Sequence, residues 1–170
     1  MSQSDRVRRA GIVCCHCVRN SAYYRAGWSQ SENWNGEDFW RNTNSNFLDI
    51  AVMEWCKLFA DTTGKHHWRK VVGDPANFMN GLLASINMSQ IDFDSYIEKC
   101  KFYRDKFLAH LDEELVMHLP NLTVAIDSTT YLHNLLVKEN SVVLSDAPHD
   151  LAEFYRQRLA YAKPNYPAGT

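Results

Sequence analysis

Apolar positions recur at three- and four-residue steps along nearly the whole chain, the spacing of amphipathic helices rather than of strands. Ala10, Val13, Cys14, Cys17, Ser21 and Tyr24 mark a first helix from Asp5 to about Arg25. The polar stretch Gly27 to Gly36 (GWSQSENWNG) then predicts a loop, with Trp28, Trp34 and Trp40 packing it onto the rest. A second helix is expected within Glu37–Ala60, with the Asn42–Asn46 run (NTNSN) a place where it could break and Thr62-Thr63-Gly64 its stop. Beyond the short basic stretch Lys65–Lys70, Asp74 reads as an N-cap and Pro75 as the first residue of a helix to about Ile86.

Asn87-Met88-Ser89 ends that helix, and Ser89 with Asp92 has the spacing of a capping box. The helix that follows, from Asp92 to about Leu111, has the clearest pattern in the chain. Leu119-Pro120 closes this region, Asn121 caps a helix to about Lys138, and Asp146-Ala147-Pro148 precedes a last helix to about Ala162. Only Val142-Val143-Leu144 suggests a strand, and it is too short and solitary to make a sheet. The expected fold class is all-α, an up-and-down bundle of about five to seven helices. It would occupy residues 1–163 as one domain, with residues 164–170 a flexible C-terminal tail.

Composition narrows the function classes. With 170 residues, 45% of them hydrophobic, the chain can build one core, which excludes wholesale disorder. Eighteen basic against 20 acidic side chains, net charge -2, exclude a globally basic nucleic-acid binder but allow a local basic patch. Five cysteines, an odd count, follow a polar opening from Met1 to Arg6, and no apolar stretch is long enough to span a bilayer. The expectation is a soluble, reduced, cytoplasmic protein without a membrane partner.

On a wheel of the Asp92–Leu111 helix, Ile97, Cys100, Phe107, Leu108 and Leu111 fall within roughly 60° of Phe93. Arg104 lands inside it, at about 20° from Phe93. A guanidinium stays charged, so there it requires a carboxylate, a phosphate or water. His110 lies on the stripe's shoulder, about 120° from Arg104, too far for direct contact within one uniform helix. A structural arginine paired with a buried acid also fits, with Glu54 the first candidate on its apolar helix (Phe47, Ile50, Ala51, Trp55, Leu58).

The stretch Tyr103-Arg104-Asp105-Lys106-Phe107-Leu108-Ala109-His110-Leu111-Asp112 (YRDKFLAHLD) resembles the signature of HEPN domains: Arg, four to six residues, then His, often with a polar residue after the Arg. Asp105 holds that polar place, and the form of the motif is similar to the abortive-infection branch of bacterial phage-defence and toxin-like proteins. The resemblance rests on about ten residues and implies a metal-independent endoribonuclease without cofactor. His110 would act as general base on a ribose 2′-hydroxyl, Arg104 would neutralise the scissile phosphate, Asp105 would orient either, and products would carry a 2′,3′-cyclic phosphate. Histidine and arginine suit those tasks at neutral pH. The resemblance further implies a homodimer whose two-fold axis brings Arg104 and His110 of different chains together, RNA as partner, and an antitoxin protein as a further one. A non-catalytic HEPN-like module binding a nucleotide or partner protein in the same cleft is the alternative.

Other clusters carry less. Cys14-Cys15-His16-Cys17 lacks usual zinc spacing, and on a helix Cys14 and Cys17 share the buried stripe while Cys15 and His16 turn away. Metal ligation is therefore not expected. His66 and His67 read as solvent-facing. Within Lys65–Lys70, Lys65, Trp68 and Arg69 could contact phosphate and stack a base, although a solvated charge run explains them as well. Lys99, Lys101, Arg104 and Lys106 outnumber Asp105, a local surplus that suits RNA, with Lys101 and Lys106 the first candidates.

Overall fold

A computed structural model describes residues 1–29, 38–108 and 119–167. Among them the backbone forms α-helices joined by turns and short 3₁₀ or π segments, with no strand. The all-α expectation holds, and Val142-Val143-Leu144 forms turns. No helix among the described residues is long and apolar enough to cross a membrane.

The first helix, α1 (Gln3–Trp28), starts where Ser2 and Asp5 close a reciprocal capping box. It buries Val7, Ala10, Cys14, Cys17 and Val18 on one face, whereas Cys15 and His16 sit at its edge. It runs past the expected end, so Gly27 and Trp28 are helical rather than loop. Gly27 is there because of a close approach: a Cβ at this position would stand 2.3 Å from the Asn44 side-chain oxygen. Trp28 is 62% exposed and stacks on Tyr24, while Trp34 and the rest of the expected loop, residues 30–37, lie outside the described residues.

α2 (Asp38–Phe59) continues unbroken through Asn42–Asn46. Asn42, Ser45 and Asn46 face solvent, while buried Asn44 has a partner in the Tyr166 hydroxyl, 3.0 Å away. Such polar residues break a helix when they compete for its backbone, and here they do not. Gly27 of α1 meets Asn44 near the start of α2, and Gln3 reaches the Lys70 carbonyl in the segment that His67 ties to Phe59 at the end of α2, so the two helices are antiparallel. The core is aromatic at its centre. Trp55 stacks on Phe59, meets Phe93 and Tyr96 edge-on, and donates its indole N–H to Ser128 at 2.9 Å.

α3 (Pro75–Ile86) begins at the Asp74 cap and ends on Asn87 in the left-handed conformation, φ 52°. α4 (Gln90–Tyr103) is capped by Ser89, and α5 (Leu122–Glu139) by Asn121. α6 (Leu151–Ala162) starts at Asp150 and passes into a 3₁₀ turn, Lys163–Asn165. The expected flexible tail is docked as far as Tyr166, which is buried and donates its hydroxyl to the Tyr23 carbonyl at 2.9 Å. Trp40 packs on the same ring, 5.5 Å between centroids.

Candidate functional site

At Arg104 the helix changes type. α4 gives way to a π-helical turn over Arg104–Leu108. Such turns insert a residue into the helical count and are frequent at functional sites. The angle of about 120° between Arg104 and His110 assumes a uniform α-helix and does not carry across this turn. His110 itself lies outside the described residues.

The Arg104 side chain is 23% exposed and leaves the hydrocarbon core at its head. Its Nε donates to Asp105 at 2.7 Å and its Nη1 to Asp61 at 2.5 Å, just beyond the end of α2. The Asp105 bond, opposed by burial and joined by Asp61, holds the guanidinium above its usual pKa. Beneath it the Cys56 thiol is pushed up to about 12 by burial, with the Arg104 charge acting in the opposite sense. Glu54, the expected partner, instead pairs with Lys57 at 3.0 Å. Asp61 carries no signal in the local pattern, because it reads as part of a helix-ending run and meets Arg104 only through the packing of α2 against α4.

Lys99, Lys101, Phe102, Asp105 and Lys106 share one groove with Glu98 and Leu119; Arg104 does not line it and is joined to it through Asp105. Lys101 is paired with Glu98 at 3.0 Å, so the four cations of this segment meet three carboxylates, counting Asp61, Asp105 and Glu98. The basic surplus is smaller than the segment alone suggests.

The Lys65–Lys70 segment contributes differently from expectation. His67 is 2% exposed, not solvent-facing. Its Nδ1 accepts from the Arg69 N–H at 3.4 Å, which leaves the proton on Nε2 to donate to the Phe59 carbonyl at 3.2 Å. Burial lowers its pKa, consistent with this neutral ring. Trp68 is buried, stacks on Phe78 at 4.9 Å between centroids, and carries the Arg69 guanidinium 5.1 Å over its ring. It offers no face to a nucleic-acid base. Lys65 and Arg69 remain exposed, yet neither lines the groove that holds Asp105.

Tyr103, read from the sequence only as an extension of the stripe, donates its hydroxyl to Asp49 at 2.6 Å and fixes the last turn of α4 to α2. Among the described residues no group of three His, Cys, Asp or Glu side chains could hold a metal ion. No family model, curated protein or solved structure matches the chain.

Proposed function

We propose that the protein is a metal-independent endoribonuclease of the HEPN type, with Arg104 as phosphate ligand and His110 as general base. The observation that carries this reading is the presentation of Arg104. A guanidinium placed by sequence in the apolar stripe emerges at a π-helical turn, oriented by two carboxylates, one of which, Asp105, also lines a groove with Lys99, Lys101 and Lys106. Orientation of this kind presets the donor plane for a phosphate, whose charge can replace a carboxylate at the guanidinium.

In the reaction, His110 takes the proton of a ribose 2′-hydroxyl and the 2′-oxygen attacks the adjacent phosphorus. The phosphorus–5′-oxygen bond breaks, leaving a 2′,3′-cyclic phosphate and, after protonation, a 5′-hydroxyl. Arg104 stabilises the charge gathering on the non-bridging oxygens. The assembly is a homodimer in which both chains' motifs line one cleft, and the class of role is that of a toxin or phage-defence enzyme restrained by an antitoxin protein.

The Arg104–Asp61 bond also supports the second reading, a non-catalytic module in which Arg104 ties α4 to α2. Incubation of RNA with wild type, Arg104→Ala and His110→Ala in excess chelator separates the two. The enzyme reading requires chelator-resistant cleavage lost in both variants, whereas a protein that cleaves nothing fits the module.

A further inference from the structure

Charge is distributed unevenly over this nearly neutral chain. α1 carries five arginines, Arg6, Arg8, Arg9, Arg19 and Arg25, against one acid, Asp5. Among the described residues none of the five forms an ion pair. Arg25 is accounted for by bonds to Thr123 and Tyr155, and Arg6 is half-buried.

The others share a face. At about 100° per residue, Arg8, Arg9, Ile12, Cys15, His16 and Arg19 fall within a sector of roughly 120°. Arg8 and Arg9 are exposed, Arg19 and His16 half-exposed, and Ile12 is 47% exposed. Arg8, Ile12, His16 and Arg19 line a shallow groove between α1 and the turns at 143–148, in which Asp146 is the one acid among the lining residues. Arg8 and Arg19 stand about 16 Å apart along the helix axis.

The antiparallel packing of α1 on α2 sets the direction of this face. The Arg8–Arg9 end lies at the end of the bundle where α2 finishes, because Gln3 is bonded to Lys70 and His66 senses the Arg9 charge. That is also the end at which Asp61 holds Arg104. The Arg8–Arg9 end of the row and Arg104 lie toward the same end of the bundle, and cations in a row without ion pairs match one polyanion chain.

We propose that the Arg8–Arg19 face of α1 is a docking track for the phosphate backbone of single-stranded RNA feeding the Arg104 site. It rests on the ribonuclease reading for its substrate, but it is tested separately, through binding. The probe is a fluorescently labelled, uncleavable single-stranded DNA oligonucleotide titrated by anisotropy over a series of salt concentrations. Each phosphate contact adds about 0.7 to the slope of log affinity against log salt for a single strand. The Arg8→Gln/Arg19→Gln variant is expected to bind at least about tenfold more weakly at low salt, with a slope shallower by about 1.4. Arg8→Gln alone, at an exposed position, should show half that change and an unaltered melting temperature.

Binding and slope unchanged in the double variant, or no binding by wild type, would overturn the track. If that happens while wild type still cleaves RNA in chelator, the ribonuclease reading stands and only the track fails. Arginine-dependent binding by a protein that cleaves nothing leaves the track and removes the enzyme.

Discussion

The Arg104 guanidinium is shared between Asp105, its neighbour, and Asp61, 43 positions earlier in the chain. The first bond is local and sets the rotamer. The second joins the end of α4 to the end of α2. Both carboxylates are more than a third exposed, so solvent screens the attraction and each bond contributes about 1 kcal/mol or less. Arg104→Ala and Asp61→Ala should each lower stability by about 1 kcal/mol and be coupled, while Glu54→Ala should be additive with Arg104→Ala. Urea unfolding of the singles and doubles checks this. A loss of about 3–5 kcal/mol for Arg104→Ala would mark an interior ion pair instead.

Gly27→Ala sets two effects against each other. Helix propensity favours alanine by about 1 kcal/mol. The added methyl would meet the Asn44 side chain at 2.3 Å and the Tyr166 ring at 2.6 Å, and overpacking costs about 1–3 kcal/mol. The clash is expected to win, and thermal unfolding should show a lower Tm for the variant. An equal or higher Tm would contradict the close packing of α1 on α2.

Tyr166 lies beyond the last helix, yet its ring is buried and its hydroxyl is bonded to Tyr23. Tyr166→Ala should therefore cost about 3 kcal/mol, in the range of a core aromatic. Tyr166→Phe, which removes only the hydroxyl shared by the Tyr23 carbonyl and Asn44, should cost about 1–2 kcal/mol. Urea midpoints unchanged in both variants would mean that the tail is frayed after all.

Two buried histidines make the fold acid-sensitive. Burial lowers the pKa of His67 and of His133, so the folded state holds both rings neutral where the unfolded chain protonates them. Their contribution is fully present above the unfolded value near 6.5 and is lost as the pH falls from there toward the folded values. Each ring contributes up to about 1.4 kcal/mol per pH unit in that window. The urea midpoint should fall between pH 7.5 and 5.5, less steeply in His67→Asn. A flat profile would rule out neutral buried rings.

Helix starts were legible in the sequence wherever the capping signal is local. Asp74 with Pro75, Ser89 with Asp92, and Asn121 each act within their own first turn, and each caps the helix it marks. Residues whose fate is set by distant packing were not legible. His67 and Trp68 sit in a run of basic residues but are buried against Phe59 and Phe78. Gly27 marks a close helix contact rather than a loop. At the candidate site, periodicity placed Arg104 on the inner face and the motif gave it a role. Its partner Asp61 depends on tertiary packing, and a π turn cannot be read from a wheel that assumes a constant angle per residue.

The most direct test of the ribonuclease proposal is the chemistry of the RNA ends. Wild-type protein incubated with a short RNA in excess chelator should yield fragments ending in 2′,3′-cyclic phosphate and beginning with 5′-hydroxyl, resolved by mass spectrometry. Arg104→Ala and His110→Ala, each with a wild-type-like circular dichroism spectrum, should yield none. Fragments with 3′-hydroxyl ends, cleavage that needs a divalent ion, or cleavage retained by His110→Ala would contradict the proposed mechanism.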